Sequence, residues 1–81
     1  MAEHIVQSPL PGVFYRKPAP DTPHFVEEGS RVSADQTIGL VEVMKQFTEV
    51  KAGVAGTLVA FSADDEQVLS PGQSIATIDT D

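Results

Sequence analysis

Thr37-Ile38-Gly39-Leu40-Val41-Glu42-Val43-Met44-Lys45-Gln46-Phe47-Thr48-Glu49-Val50-Lys51 is the stretch whose reading decides the fold. Apolar and polar residues alternate or run in short blocks on both sides of Met44-Lys45, as in strands and not in a 3.6-residue helical period. Thr37–Val43 and Phe47–Lys51 therefore read as two strands joined by Met44-Lys45-Gln46, or by Met44-Lys45 alone. A two-residue hairpin turn needs positive φ at both central positions and normally takes Asn-Gly, Asp-Gly or Gly-X. Met-Lys breaks that rule. Local chemistry that violates the fold without structural gain marks a candidate functional position. The bland alternative is a solubilising lysine at a hairpin end beside a packing methionine.

Working outward, the same rhythm covers the chain, with short apolar runs cut every few residues by Gly, Pro, Asp or Ser. Candidate strands are His4–Gln7, Gly12–Tyr15, Arg31–Val32, Thr37–Val43, Phe47–Lys51, Gly56–Phe61, Gln67–Leu69 and Ser74–Asp79. Eight short strands and no helical period predict an all-β flattened barrel or sandwich. The two halves also resemble one another. Pro-Gly-Val-Phe (11–14) matches Ala-Gly-Thr-Leu (55–58), and Val32-Ser-Ala-Asp-Gln-Thr-Ile38 matches Leu69-Ser-Pro-Gly-Gln-Ser-Ile75. Leu40-Val41-Glu42 matches Thr77-Ile78-Asp79, so an internal duplication about a pseudo-two-fold axis is expected. That axis puts the Met44-Lys45 turn at one end and the chain termini at the other, with Lys45 exposed at a tip.

The repeat offset is 44 at Gly12/Gly56 and 37 at Val32/Leu69, so the first half carries seven extra residues between Gly12 and Val32. They fall in Arg16-Lys17-Pro18-Ala19-Pro20-Asp21-Thr22-Pro23-His24, where three prolines restrict φ and hold the neighbouring backbone extended. Residues 16–24 are thus an insertion in a β scaffold. Composition alone fits a stiff, solvated connector.

Length and charge bound the function. At 81 residues the chain is one domain, 1–81, too short for a large enzyme. Five Lys+Arg against twelve Asp+Glu give −7, a balance that repels phosphate backbones and argues against nucleic acid. Without cysteine, thiolate zinc sites, iron–sulfur clusters and Cys nucleophiles are excluded, and a reducing cytoplasm is the expected compartment. No apolar run approaches a membrane span, and Met1-Ala2-Glu3-His4 is unlike a secretion signal. His4 and His24 lack metal-ligand spacing, and Glu27-Glu28 and Asp64-Asp65-Glu66 read as solvated turns. There is no Gly-rich phosphate loop and no Ser–His–Asp setting.

Glu42-Val43-Met44-Lys45-Gln46 resembles the attachment site of biotinyl domains, where the target lysine sits in a Glu-Ala/Val-Met-Lys-Met-type sequence on an exposed β-turn. Ser8-Pro9, Pro11-Gly12-Val13-Phe14-Tyr15-Arg16, Pro18-Ala19-Pro20-Asp21, Phe25-Val26-Glu27-Glu28-Gly29 and Ala55-Gly56-Thr57-Leu58 extend the likeness to the biotin carboxyl carrier family of acetyl-CoA carboxylases. In that family a protruding thumb occupies the place of the insertion and touches the biotin ring. Two positions depart from the pattern: Val43 stands where Ala is commonest, and Gln46 replaces the Met after the lysine. Lipoyl domains carry an Asp-Lys-Ala-type sequence, so Met44-Lys45 is nearer the biotin pattern.

The resemblance implies two four-stranded antiparallel sheets in a barrel-sandwich hybrid and a non-catalytic carrier subunit. It implies covalent biotin on Lys45, joined through an amide by a biotin protein ligase that reads Met44 and Gln46. Lysine amines are almost wholly protonated at neutral pH, so the base for that attack belongs to the ligase. A carboxyl group would then pass from a biotin carboxylase to a carboxyltransferase of an acetyl-CoA or related carboxylase, with tethering replacing free diffusion. In the thumb, Asp21, Thr22 and Pro23 are the candidate contacts to the ring. A lipoyl carrier of a 2-oxo-acid dehydrogenase or glycine-cleavage type system, and an unmodified interaction domain, are the competing readings.

Overall fold

A computed structural model describes residues 2–19 and 21–80; Pro20 of the insertion, Met1 and Asp81 lie outside the described residues. The strands are β1 (Ala2–Gln7), β2 (Gly12–Tyr15), β3 (Arg31–Val32), β4 (Thr37–Val43), β5 (Gln46–Lys51), β6 (Gly56–Phe61), β7 (Gln67–Leu69) and β8 (Ser74–Thr80). They form two four-stranded antiparallel sheets, ordered β1-β8-β6-β3 and β5-β4-β2-β7. The expected strands are all present. Gln46 joins β5 because it pairs with Val43 across the turn, and β1 and β8 lengthen because Ala2 pairs with Thr80.

Advancing each strand number by four converts the first sheet order into the second, which is the signature of the expected two-fold repeat. The core obeys the same rule. Val6/Val50, Phe14/Leu58, Val26/Ala63, Val32/Leu69, Ile38/Ile75 and Val41/Ile78 are repeat-related pairs, and every member is buried. Two further pairs are mixed. Ala52 corresponds to Ser8, a buried serine tolerated because its hydroxyl donates to Leu10 O at 2.6 Å. Ala76 corresponds to Gly39, where a Cβ would collide with the Phe14 ring.

Close strand approach depends on another repeat-related pair. A Cβ on Gly12 would meet the carbonyl oxygen of Glu42, and one on Gly56 that of Asp79. Only glycine lets β2 lie against β4, and β6 against β8, at this distance.

The symmetry fails where the insertion enters. Residues 16–30 link β2 to β3 in the first half. The Phe25 N–H donates to Arg16 O at 2.8 Å and closes the base of the loop. The Thr22 hydroxyl donates to Ala19 O at 2.7 Å and accepts from Ala19 N at 3.1 Å, folding the tip on itself.

Candidate functional site

β4 and β5 are joined by Met44 and Lys45 alone, with Val43 and Gln46 as the last pair. Both turn residues are left-handed, at φ 52° and 64°, as a type I′ turn requires. Neither is glycine, so the backbone carries strain of order 1 kcal/mol or more per residue. Met44 is 92% exposed, and Lys45 and Gln46 are exposed. The Lys45 amine makes no hydrogen bond or ion pair with any described residue. Lys51 differs, since its Nζ donates to Thr37 Oγ1 at 3.0 Å and lies 2.9 Å from Glu49 Oε1. The expectation of a solvent-facing amine on a bend between two strands therefore holds, and the fold supplies no local partner that would retain it.

A cleft of about 300 Å³ opens beside this hairpin. Tyr15 comes from the end of β2, Lys17, Pro18 and Ala19 from the insertion, Phe47 from β5, and Asp65 and Glu66 from the β6–β7 connection. The Tyr15 and Phe47 rings are 6.1 Å apart at 54°. The Tyr15 hydroxyl donates to Glu42 Oε1 at 3.0 Å. That bond, then desolvation, then the negative charges of Glu42, Glu66 and Asp65, raise the Tyr15 phenol above its ordinary pKa.

Arg16 ties the insertion to the body. Its backbone N–H donates to Asp65 Oδ1 at 2.8 Å, its guanidinium carbon lies 4.1 Å from the Phe61 ring centre, and its Nη2 is 3.7 Å from Glu27 Oε1. The base of the loop is thus held against the cleft. Asp21, Thr22 and Pro23 are placed differently: Thr22 is engaged within the loop, Asp21 and Pro23 are exposed, and none of the three lines the cleft. Among the described residues no group of His, Cys, Asp or Glu could hold a metal ion. The arrangement offers a free primary amine for acylation and, two residues along, an aromatic-floored recess with polar edges.

The family model described as "Biotin-requiring enzyme" matches residues 4–78. The chain belongs to the biotin–lipoyl family. Relatives in that family include the biotin carboxyl carrier protein of acetyl-CoA carboxylase from Chlamydia pneumoniae, 50% identical over 55 residues, covering 68% of this chain and 33% of that protein. The protein of the same name from Nostoc sp. is 36% identical over 76 residues, covering 94% of this chain and 42% of that one. The chain spans between a quarter and a half of these and similar relatives. Among solved structures, a single-chain, multi-domain long-chain acyl-CoA carboxylase superposes with a TM-score of 0.80 at 19% identity, over 98% of this chain and 7% of that one. The Kluyveromyces lactis urea carboxylase gives 0.78 at 20%, over 96% and 6%. These two likenesses concern the fold.

Tyr15, Lys17, Glu42 and Phe47 lie at or beside the recess; the linear sequence places Lys17 in the insertion and Glu42 and Phe47 around the turn, but gives none of the four a role of its own. One signal was available. Phe47 lies on the outward face of a strand whose inward face is marked by Val50, and a large aromatic in that position asks for a reason.

Proposed function

We propose that this chain is a biotin carboxyl carrier domain that accepts biotin on Lys45 Nζ and serves a biotin carboxylase and a carboxyltransferase in turn. The observation that carries this reading is the exposed, unpartnered lysine on a strained two-residue turn in a biotin–lipoyl fold. The pairing of β4 with β5 closes on Met44 and Lys45 despite their strain and so holds the amine at the tip of the hairpin. A biotin protein ligase would present biotin as an acyl-adenylate; the Lys45 amine attacks the acyl carbon, the phosphate–acyl bond breaks, adenylate leaves, and the amine proton passes to a base on the ligase. When attached, biotin supplies the ureido nitrogen that carries a carboxyl group. The chain supplies the tether and contributes no catalytic group.

The cleft beside the hairpin fits the ring of such a group. Tyr15 and Phe47 provide an apolar floor, and Lys17 with the Asp65 and Glu66 edge provides polar contacts. In this assignment the base of the insertion, Lys17–Ala19, touches the ring, while the tip of Asp21, Thr22 and Pro23 keeps the loop closed through the Thr22–Ala19 bonds.

Intact-mass measurement after incubation with biotin protein ligase, biotin and ATP tests the acceptor. One biotinyl addition that disappears in Lys45→Arg is expected. A lipoyl-sized addition from a lipoate ligase, or no addition with either enzyme, overturns the reading. Deleting residues 17–23 tests the thumb, and a truncated domain with unchanged biotinylation and carboxylation rates would remove its role.

A further inference from the structure

The internal repeat provides a control for surface positions on the paired strands, and one row of side chains departs from it. On the outer face of the β1-β8-β6-β3 sheet, Arg31, Thr57, Asp79 and Glu3 lie side by side across the four strands. The register-equivalent row on the β5-β4-β2-β7 sheet is Val68, Val13, Glu42 and Phe47. Three of four polar residues are replaced by apolar ones, on backbones that the repeat makes alike. Val68 is 73% exposed and Phe47 58% exposed. The row lies one residue pair behind Val43–Gln46, so beyond Met44 it leads from the acceptor turn across the sheet as a mainly apolar strip, Phe47 on one side and Val13 with Val68 on the other, crossed by Glu42. Folding does not require it, because the equivalent row is polar and its sheet forms as well.

We propose that this strip is the docking face for the enzyme that acylates Lys45, a protein surface with an apolar centre and a basic rim; this rests on the carrier reading above. Before modification there is no tethered group to grip, so the modifying enzyme must obtain its affinity from the protein surface around the amine. Enzymes that act later can bind the attached ring. The surroundings set the partner's charge. Glu42 crosses the strip and Glu49, Asp65 and Glu66 flank it, against Lys17 and Lys51, on a chain of net charge −7. A second copy would bring the same acidic border and be repelled, whereas a basic rim is attracted.

The test makes the strip polar, with Val68→Arg and Val13→Thr restoring residues of the control row, without touching Met44, Lys45 or Gln46. Val68→Thr, Val68→Arg and Val13→Thr are compared with Val59→Arg on the opposite sheet, measuring kcat and KM for biotinylation of Lys45 by biotin protein ligase, with melting temperature alongside. The expected result is a KM rise of about threefold for the Thr variants and about tenfold or more for Val68→Arg, with kcat within about twofold, while Val59→Arg stays at the wild-type value. Unchanged KM in the Val68 variants, or an equal rise in Val59→Arg, overturns the docking face. A smaller effect from Arg than from Thr overturns the basic rim. A dimer that Val68→Arg dissolves, with KM unchanged, assigns the strip to self-association instead. Failure of the wild-type chain to take biotin at all is a different result, since it removes the carrier reading itself.

Discussion

Met44 and Lys45 hold left-handed backbone that their side chains oppose, and an Asn-Gly turn would relieve it. Lys45→Gly should therefore stabilise the domain by about 1 kcal/mol, visible as a melting temperature about 4–8 °C higher, while abolishing acylation. A destabilised glycine variant would show that the turn is not strained. Tyr15 offers a second test at this scale. Its phenol binds its proton more tightly in the folded state than in the unfolded chain, chiefly through the bond to Glu42. Stability from this group is complete below the unfolded tyrosine pKa and is lost as pH rises through the folded one. Urea midpoints should fall as pH rises above the ordinary tyrosine pKa of 10.0 in the wild type, and fall less in Tyr15→Phe.

Strand pairs make the sharper demands. Gly12 and Gly56 each face the carbonyl of a neighbouring strand, so Gly12→Ala and Gly56→Ala should each cost about 2–3 kcal/mol by forcing those strands apart. Equal urea midpoints for variant and wild type would refute the close-approach account. The strands themselves were legible from local pattern, because each is short, apolar on one side and bounded by turn residues. The Met-Lys turn was legible as a broken rule, and the insertion as a change of repeat offset. The cleft was not, because Tyr15, Lys17, Phe47 and Asp65 converge from three segments only after the sheets have formed. The tip residues Asp21, Thr22 and Pro23 drew attention for protruding, whereas the structure brings the base of the loop to the recess and leaves the Thr22 hydroxyl occupied by Ala19.

Across the whole molecule, the two repeats cannot be separated. Each sheet takes two strands from each half, with β1 and β3 beside β6 and β8, and β2 and β4 beside β5 and β7. The six paired core positions are likewise shared between halves. Peptides ending at residue 44 and beginning at residue 45 should each lack a cooperative thermal transition, and mixing them should recover part of the β signal in circular dichroism. A cooperative melt from either peptide alone would contradict this shared core. The pairing of β1 with β8 has a mechanical consequence as well. Ala2 lies opposite Thr80 in an antiparallel pair, so tension applied through the two chain ends loads the hydrogen bonds one rung at a time instead of all in parallel. The domain should peel open at low force from that edge, while a pull applied through Lys45 would first load the β4–β5 hairpin.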